Sequence, residues 1–298
     1  MFLNRLSLKD KTLFLEYLNL DKHYLGAYSF LNIYINKALY DIYWAIIKEN
    51  LCIFFKDKIG AFLYLPPLGK KKDAQLIREI FAILNGFNKN KIISRIENVE
   101  EKDVSFYQKL GYDIKEKYPD YLYLREDLVN LKGNKFKSKR AGINYFIRHY
   151  KFRCLDFSLK YKNFCLSLYR EWMDERRIKF NDKIYQGLLL DSFKMLKLLL
   201  NYPQLGFKGY IVEVDGKVKA FSLGYPLNEE VFCILYEITD LKIKGLSQFI
   251  FHYFSKNLLG YRYINALDDS GLDNLRRTKL SYHPIELVSN YIVKEKCI

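Results

Sequence analysis

Two carboxylates near the end of one strand are the residues best placed for acid–base chemistry. Glu237 and Asp240 fall at the carboxyl end of the β-branched segment VFCILYEIT, where an open sheet places its ligands. An amine that attacks an ester or thioester needs a base to remove a proton and a donor to hold the oxyanion. We predict that Glu237 or Asp240 is this base or positions the nucleophile. A solvated strand end is the structural alternative.

A glycine loop follows this strand and opens the next predicted helix. Its residues Lys242, Gly245, Leu246 and Ser247 lie in the segment KIKGLSQFIF. Backbone N–H groups in the first turn of a helix, together with the helix dipole, form a binding site for phosphate. We predict that this loop binds the phosphate of a donor molecule. Glycine is also common before helices and Ser247 is a suitable cap residue, so an ordinary helix start is the alternative.

A basic segment, NKFKSKRAGINYFIRHYK, combines cations with aromatic rings. We expect its residues Lys135, Lys139, Arg140 and Arg148 to bind a substrate or nucleic acid, because cations interleaved with aromatic faces are typical of surfaces that bind nucleotides or RNA. On a helix from about residue 138 these cations do not share one face, so only part of the cluster can contact a single ligand. A solvated helix with one apolar side is the alternative.

A second pair of acids occurs in NALDDSGLDNLRRTKLSYHP, after another predicted strand. Asp268 and Asp269 precede a helix that carries Arg276 and Lys279. Helix capping and the helix dipole explain most of this pattern. Because the turn is expected to border the same cleft as the glycine loop, we also predict that Asp268 or Asp269 orients an incoming amine. Arg276 or Lys279 would then contact phosphate.

Several kinds of site have no support in the sequence. The four histidines and five cysteines share no spacing typical of metal ligands or of a nucleophile motif, so we predict no metal site. The internal motifs GxGxxG and GxxxxGK[ST] are absent, which excludes the simple Rossmann and P-loop interpretations. The scattered cysteines favour reduced thiols in a cytosolic protein.

The composition indicates a folded, strongly basic chain. Half of the 298 residues are apolar, and 49 Lys and Arg against 34 Asp and Glu give a net charge of +15. Such a charge attracts polyanions, including tRNA, an anionic membrane surface or a phosphate-bearing cofactor, although codon bias toward lysine is an alternative cause. The opening MFLNRLSLKDKTLF is no signal peptide, and no apolar run approaches the ~20 residues of a membrane span. We therefore expect a cytoplasmic protein without a transmembrane segment.

The predicted elements occur twice in the same order. Each half has a strand pair, a helix, a strand, a helix and a strand, and the Asp215-Gly216 turn in the second half is a strong hairpin signal. Such repetition suggests duplicated α/β domains. We predict an N-terminal domain over residues 1–130 and a C-terminal, donor-binding domain over residues 131–298.

The element order resembles that of GNAT-type acyltransferases, as do the segments FYQKLGY and KLSYHP. The resemblance implies an α/β (α+β) fold of two tandem GNAT-like domains, each a mixed, mostly antiparallel sheet flanked by helices. GNAT domains bind the acyl-CoA pyrophosphate on a loop of the form Arg/Gln-x-x-Gly-x-Gly/Ala. Here Lys242 and Ser247 replace the first and last residues of that pattern. By analogy with GNAT enzymes, Tyr282 is a candidate general acid.

A second resemblance covers almost the whole chain. The segments DYLYLREDLVNLKGNKFKSKRAGINYFIR and DDSGLDNLRRTKLSYHP resemble a soluble family grouped with the C-terminal cytosolic domain of phosphatidylglycerol lysyltransferases. The resemblance implies transfer of an acyl or aminoacyl group from acyl-CoA or aminoacyl-tRNA to an amine or hydroxyl, with no tightly bound cofactor. The alternative is a non-catalytic module on a GNAT scaffold that binds RNA or an anionic surface.

Overall fold

The computed structural model describes residues 3–180 and 182–296. The chain divides into two units. The first contains the residues up to Asp120 and those from Val288 onward, and the second is Tyr121–Leu287.

Fourteen strands and ten α-helices are found within the described residues. The strands are β1 (Asn4–Arg5), β2 (Asp41–Ile47), β3 (Asn50–Lys56), β4 (Ala61–Leu63), β5 (Ile96–Glu100), β6 (Asp113–Glu116), β7 (Asp120–Leu124), β8 (Phe152–Asp156), β9 (Lys208–Val214), β10 (Lys217–Pro226), β11 (Val231–Thr239), β12 (Tyr263–Asn265), β13 (Glu286–Val288) and β14 (Asn290–Lys294). The helices are α1 (Lys11–Leu18), α2 (Phe30–Ile35), α3 (Ala74–Phe87), α4 (Glu101–Lys109), α5 (Arg125–Asn130), α6 (Lys137–His149), α7 (Lys162–Lys179), α8 (Lys183–Leu199), α9 (Leu246–Asn257) and α10 (Asp273–Leu280).

The first unit is built on a seven-stranded sheet in the order β1-β2-β3-β4-β5-β14-β6. The pair β4–β5 is parallel, whereas the other pairs are antiparallel. Helix α3 repeats its apolar residues every three or four positions, and the buried face that results packs into the core of this sheet.

The second unit repeats this plan with the sheet β13-β7-β12-β11-β10-β9-β8. The predicted hairpin is confirmed, with Asp215 and Gly216 at positive φ between β9 and β10. One face of the sheet is covered by α9 and α6, whose residues share a core cluster with Val212 and Ala220. The other face packs on α7 and α8, because Tyr236 contacts the ring of Tyr169 and donates to a backbone carbonyl of α8.

The two sheets together confirm the predicted α/β fold of two tandem domains, each a mixed, mostly antiparallel sheet. Each sheet is mixed, and flanking helices cover it.

Each sheet contains one strand from the other half of the chain. β14 comes from the end of the sequence but lies in the first sheet, between β5 and β6. β7 comes from the first half but lies in the second sheet, beside β12. The boundary predicted at residue 130 therefore differs from the units of the structure. The segment ELVSNYIVK forms two strands, β13 and β14, which lie in different sheets. Alternating residue patterns identify a strand but do not identify its partner.

Two further features bear on the expectations from sequence. Within the described residues, no helix has the length and apolar character needed to cross a bilayer. Among the described residues, Cys52, Cys154, Cys165 and Cys233 form no disulfide, and Cys297 lies outside the described residues.

Candidate active site

A bulge in the second sheet determines which way Glu237 points. Leu223 pairs with Tyr236 but Gly224 pairs with Ile234, so β11 carries one extra residue at Leu235. An extra residue moves every later side chain of a strand to the opposite face. As a result Glu237, directly opposite Ser222, lies on the face that α6 and α9 cover.

The sheet also separates beside this position. The parallel pairing of β11 with β12 ends at Cys233 and Asn265, whereas β11 continues to Thr239. The carboxyl-terminal part of β11 that carries Glu237 therefore has no strand on that side. A gap between central strands at their carboxyl ends is a favoured position for ligands in α/β sheets.

The Glu237 carboxyl group is in an unusual electrostatic environment. Burial raises its pKa to about 8, and the charges of Lys139 and Lys279 only partly oppose this effect. No described residue donates a hydrogen bond or forms an ion pair to the carboxylate. The side chain keeps partial solvent access, so a substrate group can reach it. A carboxyl group of this kind exchanges a proton near neutral pH.

Lys139 lies beside Glu237 rather than on the expected nucleic-acid surface. Its side chain is buried, its Nζ donates to the Ser281 hydroxyl at 2.6 Å, and it lies 3.9 Å from the centre of the Tyr282 ring. Burial lowers the pKa of Lys139, an effect that the charge of Glu237 opposes. Lys139 therefore supplies a positive charge within the site.

Tyr282 completes the group formed with Glu237 and Lys139. Its ring is buried and packs edge-on against Phe251, with centroids 4.7 Å apart. Burial, followed by the nearby charge of Glu237, raises the pKa of the Tyr282 hydroxyl well above its usual value. The hydroxyl thus stays protonated and can act as a hydrogen-bond donor.

Asp240 has a different role from Glu237. Its carboxylate pairs with Lys219 at 2.7 Å and accepts a hydrogen bond from the Lys242 backbone at 3.0 Å. Burial alone would raise the pKa of Asp240, but these hydrogen bonds outweigh it and hold the pKa below its ordinary value. Asp240 is therefore ionised and paired, and it shapes the loop that leads to α9.

Gly245 is required by packing whether or not a phosphate binds. Its φ is +84°, and a Cβ atom added there would lie 2.1 Å from the Gly142 carbonyl oxygen of α6. The helix that follows, α9, has Gly245 as its N-cap residue and no side-chain cap. Ser247 contacts Gln248 instead of capping, and Lys242 pairs with Glu175 at 3.0 Å.

In the first unit, the helix N-terminus and the acid at a strand end both have partners. The carboxylate of Asp73 accepts the Leu76 amide at 2.7 Å and so occupies the N-terminus of α3. Glu100, at the end of β5, is buried but lies 2.9 Å from both His23 and Lys102. Both acids are thus compensated, in contrast to Glu237.

The acids and cations of the turn after β12 are mostly engaged with the backbone. Lys279 donates to three carbonyls, with distances of 2.6 Å to Ala266 and 3.0 Å to Leu267, and the third is that of Asp268. Its charge nevertheless acts on Glu237. Lys279 therefore contributes to the site chiefly by holding this turn together.

Asp268 and Asp269 hold the same turn. Asp268 accepts the Ser270 amide at 2.7 Å. Buried Asp269 accepts the Gly271 amide at 2.9 Å and the Tyr121 hydroxyl at 2.5 Å. The N-cap residue of α10 is Leu272, so neither Asp269 nor Ser270 caps this helix.

The structure divides the predicted basic cluster. Arg140 donates to the backbone carbonyls of Leu131 and Gly133, at 2.7 Å for Gly133, and so stabilises the loop before α6. Arg148 and Arg276 are exposed, and Lys135 is 3.8 Å from Asp127. Of the predicted basic residues, Lys139 and Lys279 are the two whose charges act on Glu237.

Ser222 belongs to the site but was not predicted from the sequence. It is completely buried directly opposite Glu237, and its hydroxyl has no hydrogen-bond partner among the described residues. Buried polar groups without a hydrogen-bond partner are rare in folded proteins. Here the position beside a reactive carboxyl group explains why a hydroxyl is present. The hairpin turn predicts that β10 is a strand, but the pairing of Ser222 with Glu237 depends on the bulge.

Two sheets with this strand order define a protein with tandem GNAT-like domains. The chain belongs to the family described as phosphatidylglycerol lysyltransferase, C-terminal, whose model matches residues 19–294. Family and fold together support a transferase of the GNAT kind.

Three proteins illustrate how similar known sequences and structures are to this chain. The structure of a conserved protein of unknown function from Bacteroides thetaiotaomicron is 27% identical, with 99% of both chains covered and a TM-score of 0.87. The L-PGS structure from Bacillus licheniformis is 18% identical, with 99% of this chain and 94% of that chain covered and a TM-score of 0.68. An uncharacterized protein from Mycoplasmoides gallisepticum is 26% identical over 205 residues, which span 63% of this chain but only 61% of that protein.

Proposed function

We propose that this protein is an acyl or aminoacyl transferase with its reaction centre at Glu237 in the second unit. The observation that carries the proposal is a largely buried carboxyl group that keeps partial solvent access and has no hydrogen-bond partner among the described residues. It lies near the charge of Lys139, at the carboxyl end of a central strand. The family and the GNAT-like fold support the same class of reaction.

The residues suggest a division of roles in the transfer. Ionised Glu237 accepts a proton from the amine or hydroxyl nucleophile as that group attacks the acyl carbon. The charge of Lys139 stabilises the oxyanion that forms. As the carbon–sulfur or carbon–oxygen bond to the donor breaks, the Tyr282 hydroxyl gives its proton to the leaving group. The proton on Glu237 then passes to the Tyr282 oxygen, directly or through solvent, which restores both groups.

Two donors fit this proposal, because acyl-CoA and aminoacyl-tRNA both carry an activated acyl group together with phosphates. The N-terminus of α9, which lacks a side-chain cap, is the proposed phosphate contact. Titration with salt distinguishes the donors. Binding of tRNA should fall steeply with ionic strength, whereas CoA should raise the melting temperature by an amount that grows with the logarithm of its concentration above the dissociation constant.

The test of catalysis is single-turnover transfer from radiolabelled acyl-CoA or aminoacyl-tRNA to hydroxylamine, a small nucleophile that needs no acceptor site. Glu237→Gln should reduce transfer by roughly 10²–10⁴-fold, the range for loss of a general base. The control is Glu213→Gln, because Glu213 is also buried in this sheet but pairs with Arg153 at 2.6 Å. Transfer that survives in Glu237→Gln at the wild-type rate would contradict the proposed base.

A second function, a non-catalytic module that binds RNA or an anionic surface, is favoured by two observations. Gly245 has a packing role, and Lys242 is paired with Glu175, so neither is reserved for a donor. Such a module should bind tRNA equally well with or without its aminoacyl group. It should also transfer nothing to hydroxylamine.

A further inference from the structure

The first unit carries a cleft whose lining includes none of the residues predicted from the sequence to bind or react. Its volume is about 290 Å³, close to the lower limit for pockets that bind small molecules. The cleft is formed by the end of α1, the turn that joins β2 to β3, and the segment that follows β4. The residues that line it are Glu16, Tyr17, Leu20, Glu49, Lys70 and Lys71.

Two walls of the cleft are fixed to the first sheet. α1 packs on β2 through Phe14, whose ring meets that of Trp44 edge-on with centroids 6.0 Å apart. The segment after β4 is joined to β3 by two backbone hydrogen bonds. The Leu51 amide donates to the Leu68 carbonyl at 2.8 Å, and the Leu68 amide donates to the Leu51 carbonyl at 3.0 Å.

The third wall, the turn between β2 and β3, has an unusual conformation. Lys48 and Glu49 have φ values of 46° and 63°, a left-handed geometry for which asparagine and glycine are the favoured residues. Buried Asn50 holds the turn against the neighbouring segment, because its side-chain amide donates to the carbonyls of Lys48 at 2.6 Å and Lys71 at 2.9 Å. Strained residues of this kind cluster at ligand sites. Here the conformation places a glutamate at the edge of the cleft.

Acidic and basic side chains reach the cleft from different elements. Glu16 on α1 and Glu49 on the turn are exposed, as are Lys70 and Lys71. None of these four side chains forms an ion pair with a residue that the structure describes. Both signs of charge are therefore available to a ligand.

Tyr17 and Leu20 give the same cleft an apolar part. Tyr17 is half-buried in α1, and Leu20 is 47% exposed. A ligand that covers these two side chains removes apolar surface from water, which favours binding.

We propose that this cleft binds a small zwitterion with an apolar body, the chemistry that free apolar amino acids and short apolar peptides share. The ammonium group of the ligand contacts the two glutamates, its carboxylate contacts the two lysines, and its apolar body covers Tyr17 and Leu20. The two lysines disfavour a purely cationic ligand, and the two glutamates disfavour a purely anionic one. The proposal does not depend on the transfer reaction assigned to Glu237.

The test is calorimetric titration of the whole chain with leucine, leucyl-leucine and N-acetyl-leucinamide. The first two are zwitterions of different length, so the tighter of them identifies an amino acid or a peptide as the ligand. N-acetyl-leucinamide has the apolar body of leucine without its charges and should bind roughly ten-fold more weakly, because it lacks the ionic contacts. Added salt should weaken binding of both zwitterions.

Two double variants remove one sign of charge at a time. Glu16→Gln/Glu49→Gln and Lys70→Gln/Lys71→Gln should each weaken binding of the zwitterions by roughly five-fold. All four positions are exposed, so we expect both variants to melt at the wild-type temperature.

Matched controls change the net charge by the same amount at exposed residues outside the cleft. These are Glu229→Gln/Glu286→Gln and Lys58→Gln/Lys89→Gln, and both should leave the affinity unchanged. The controls separate contacts in the cleft from an effect of total charge.

Three results would overturn the proposal. The first is that neither zwitterion binds at millimolar concentration, and the second is that N-acetyl-leucinamide binds as tightly as leucine. The third is a loss of affinity in the control variants equal to that in the cleft variants.

Discussion

Glu237 illustrates a conflict between stability and chemistry at the scale of one residue. A buried carboxylate without a partner destabilises a folded protein, and most buried acids in this chain avoid the problem. Asp269, for example, accepts hydrogen bonds from Tyr121 and Gly271. The exception at Glu237 is consistent with a group that must gain and lose a proton.

Stability should therefore rise when Glu237 is replaced by glutamine. The folded-state pKa is about 8 and the ordinary value is 4.5, so the folded state binds the proton more tightly than the unfolded state. The contribution of the protonated Glu237 carboxyl group to stability is fully present below about pH 4.5 and is lost as the pH rises toward 8. Glu237→Gln should exceed wild type by roughly 2–4 kcal/mol at pH 8, with little difference at pH 5.

Urea unfolding at pH 5 and pH 8 measures this difference. The control Glu213→Gln breaks the ion pair with Arg153 and should not gain stability at pH 8. Equal stability of Glu237→Gln and wild type at both pH values would show that the carboxyl group is not destabilised by burial.

Ser222 provides a second prediction at this scale. Its buried hydroxyl lacks a hydrogen-bond partner among the described residues, so Ser222→Ala should be neutral or stabilising by about 1 kcal/mol. If the hydroxyl supports ionised Glu237 during transfer, the same variant should shift the pH–rate profile to higher pH. Thermal unfolding and the pH profile of single-turnover transfer measure the two effects. A marked loss of stability with an unchanged profile would assign Ser222 a purely structural role.

At the scale of elements, the start of α9 depends on its contact with α6. Gly245 has a φ of +84° and lies against the Gly142 carbonyl, so an added methyl group meets both backbone strain and a fixed atom. Gly245→Ala should destabilise the protein by about 2–4 kcal/mol. Loss of donor binding in this variant would consequently say little about phosphate contacts.

Gly86→Ala is the matched control for this prediction. Gly86 lies within α3 and has open space where a Cβ would be added, so alanine should stabilise the protein by about 0.5–1 kcal/mol. Chemical denaturation of both variants gives the comparison. A Gly245→Ala protein as stable as wild type would mean that α6 and α9 can separate at this contact.

At the scale of the whole molecule, the exchanged strands determine how the chain can be divided. A fragment cut at residue 130 lacks β14, which lies between β5 and β6 in the first sheet. Such a fragment should not unfold cooperatively. In the sheet Glu116 pairs with Tyr291, and the Lys117 amide donates to the Asn290 carbonyl at 2.7 Å. These two strands are therefore placed like the arms of a hairpin.

Because of this geometry, β14 can be joined directly to β6 to give the complete first sheet in one shorter chain. Residues 3–118 joined to residues 288–296 through an Asn-Gly turn should fold, because the turn suits a two-residue hairpin connection. Circular dichroism during thermal unfolding should show a cooperative transition for this chain but not for residues 1–130. Cooperative unfolding of both would mean that β14 is dispensable.

Local patterns in the sequence determined the hairpin, the two α/β units and one of the candidate catalytic residues. The alternation of residues around Asp215 and Gly216 fixes the hairpin, and the repeated element order indicates two α/β units. Glu237 was recognisable as a candidate because a strand end followed by a glycine loop is a local feature. Each of these inferences depends on residues that are close together in the chain.

The tertiary structure decided the features that depend on distant residues. The bulge at Leu235 turned Glu237 toward α6, and the packing of α6 buried Lys139 beside it, although its sequence context suggests a solvent-facing cation. The partners of β7 and β14 were likewise set by sheet assembly. Hydrophobic periodicity specifies which face of an element is buried, but the identity of the neighbour depends on the free energy of the whole packed arrangement.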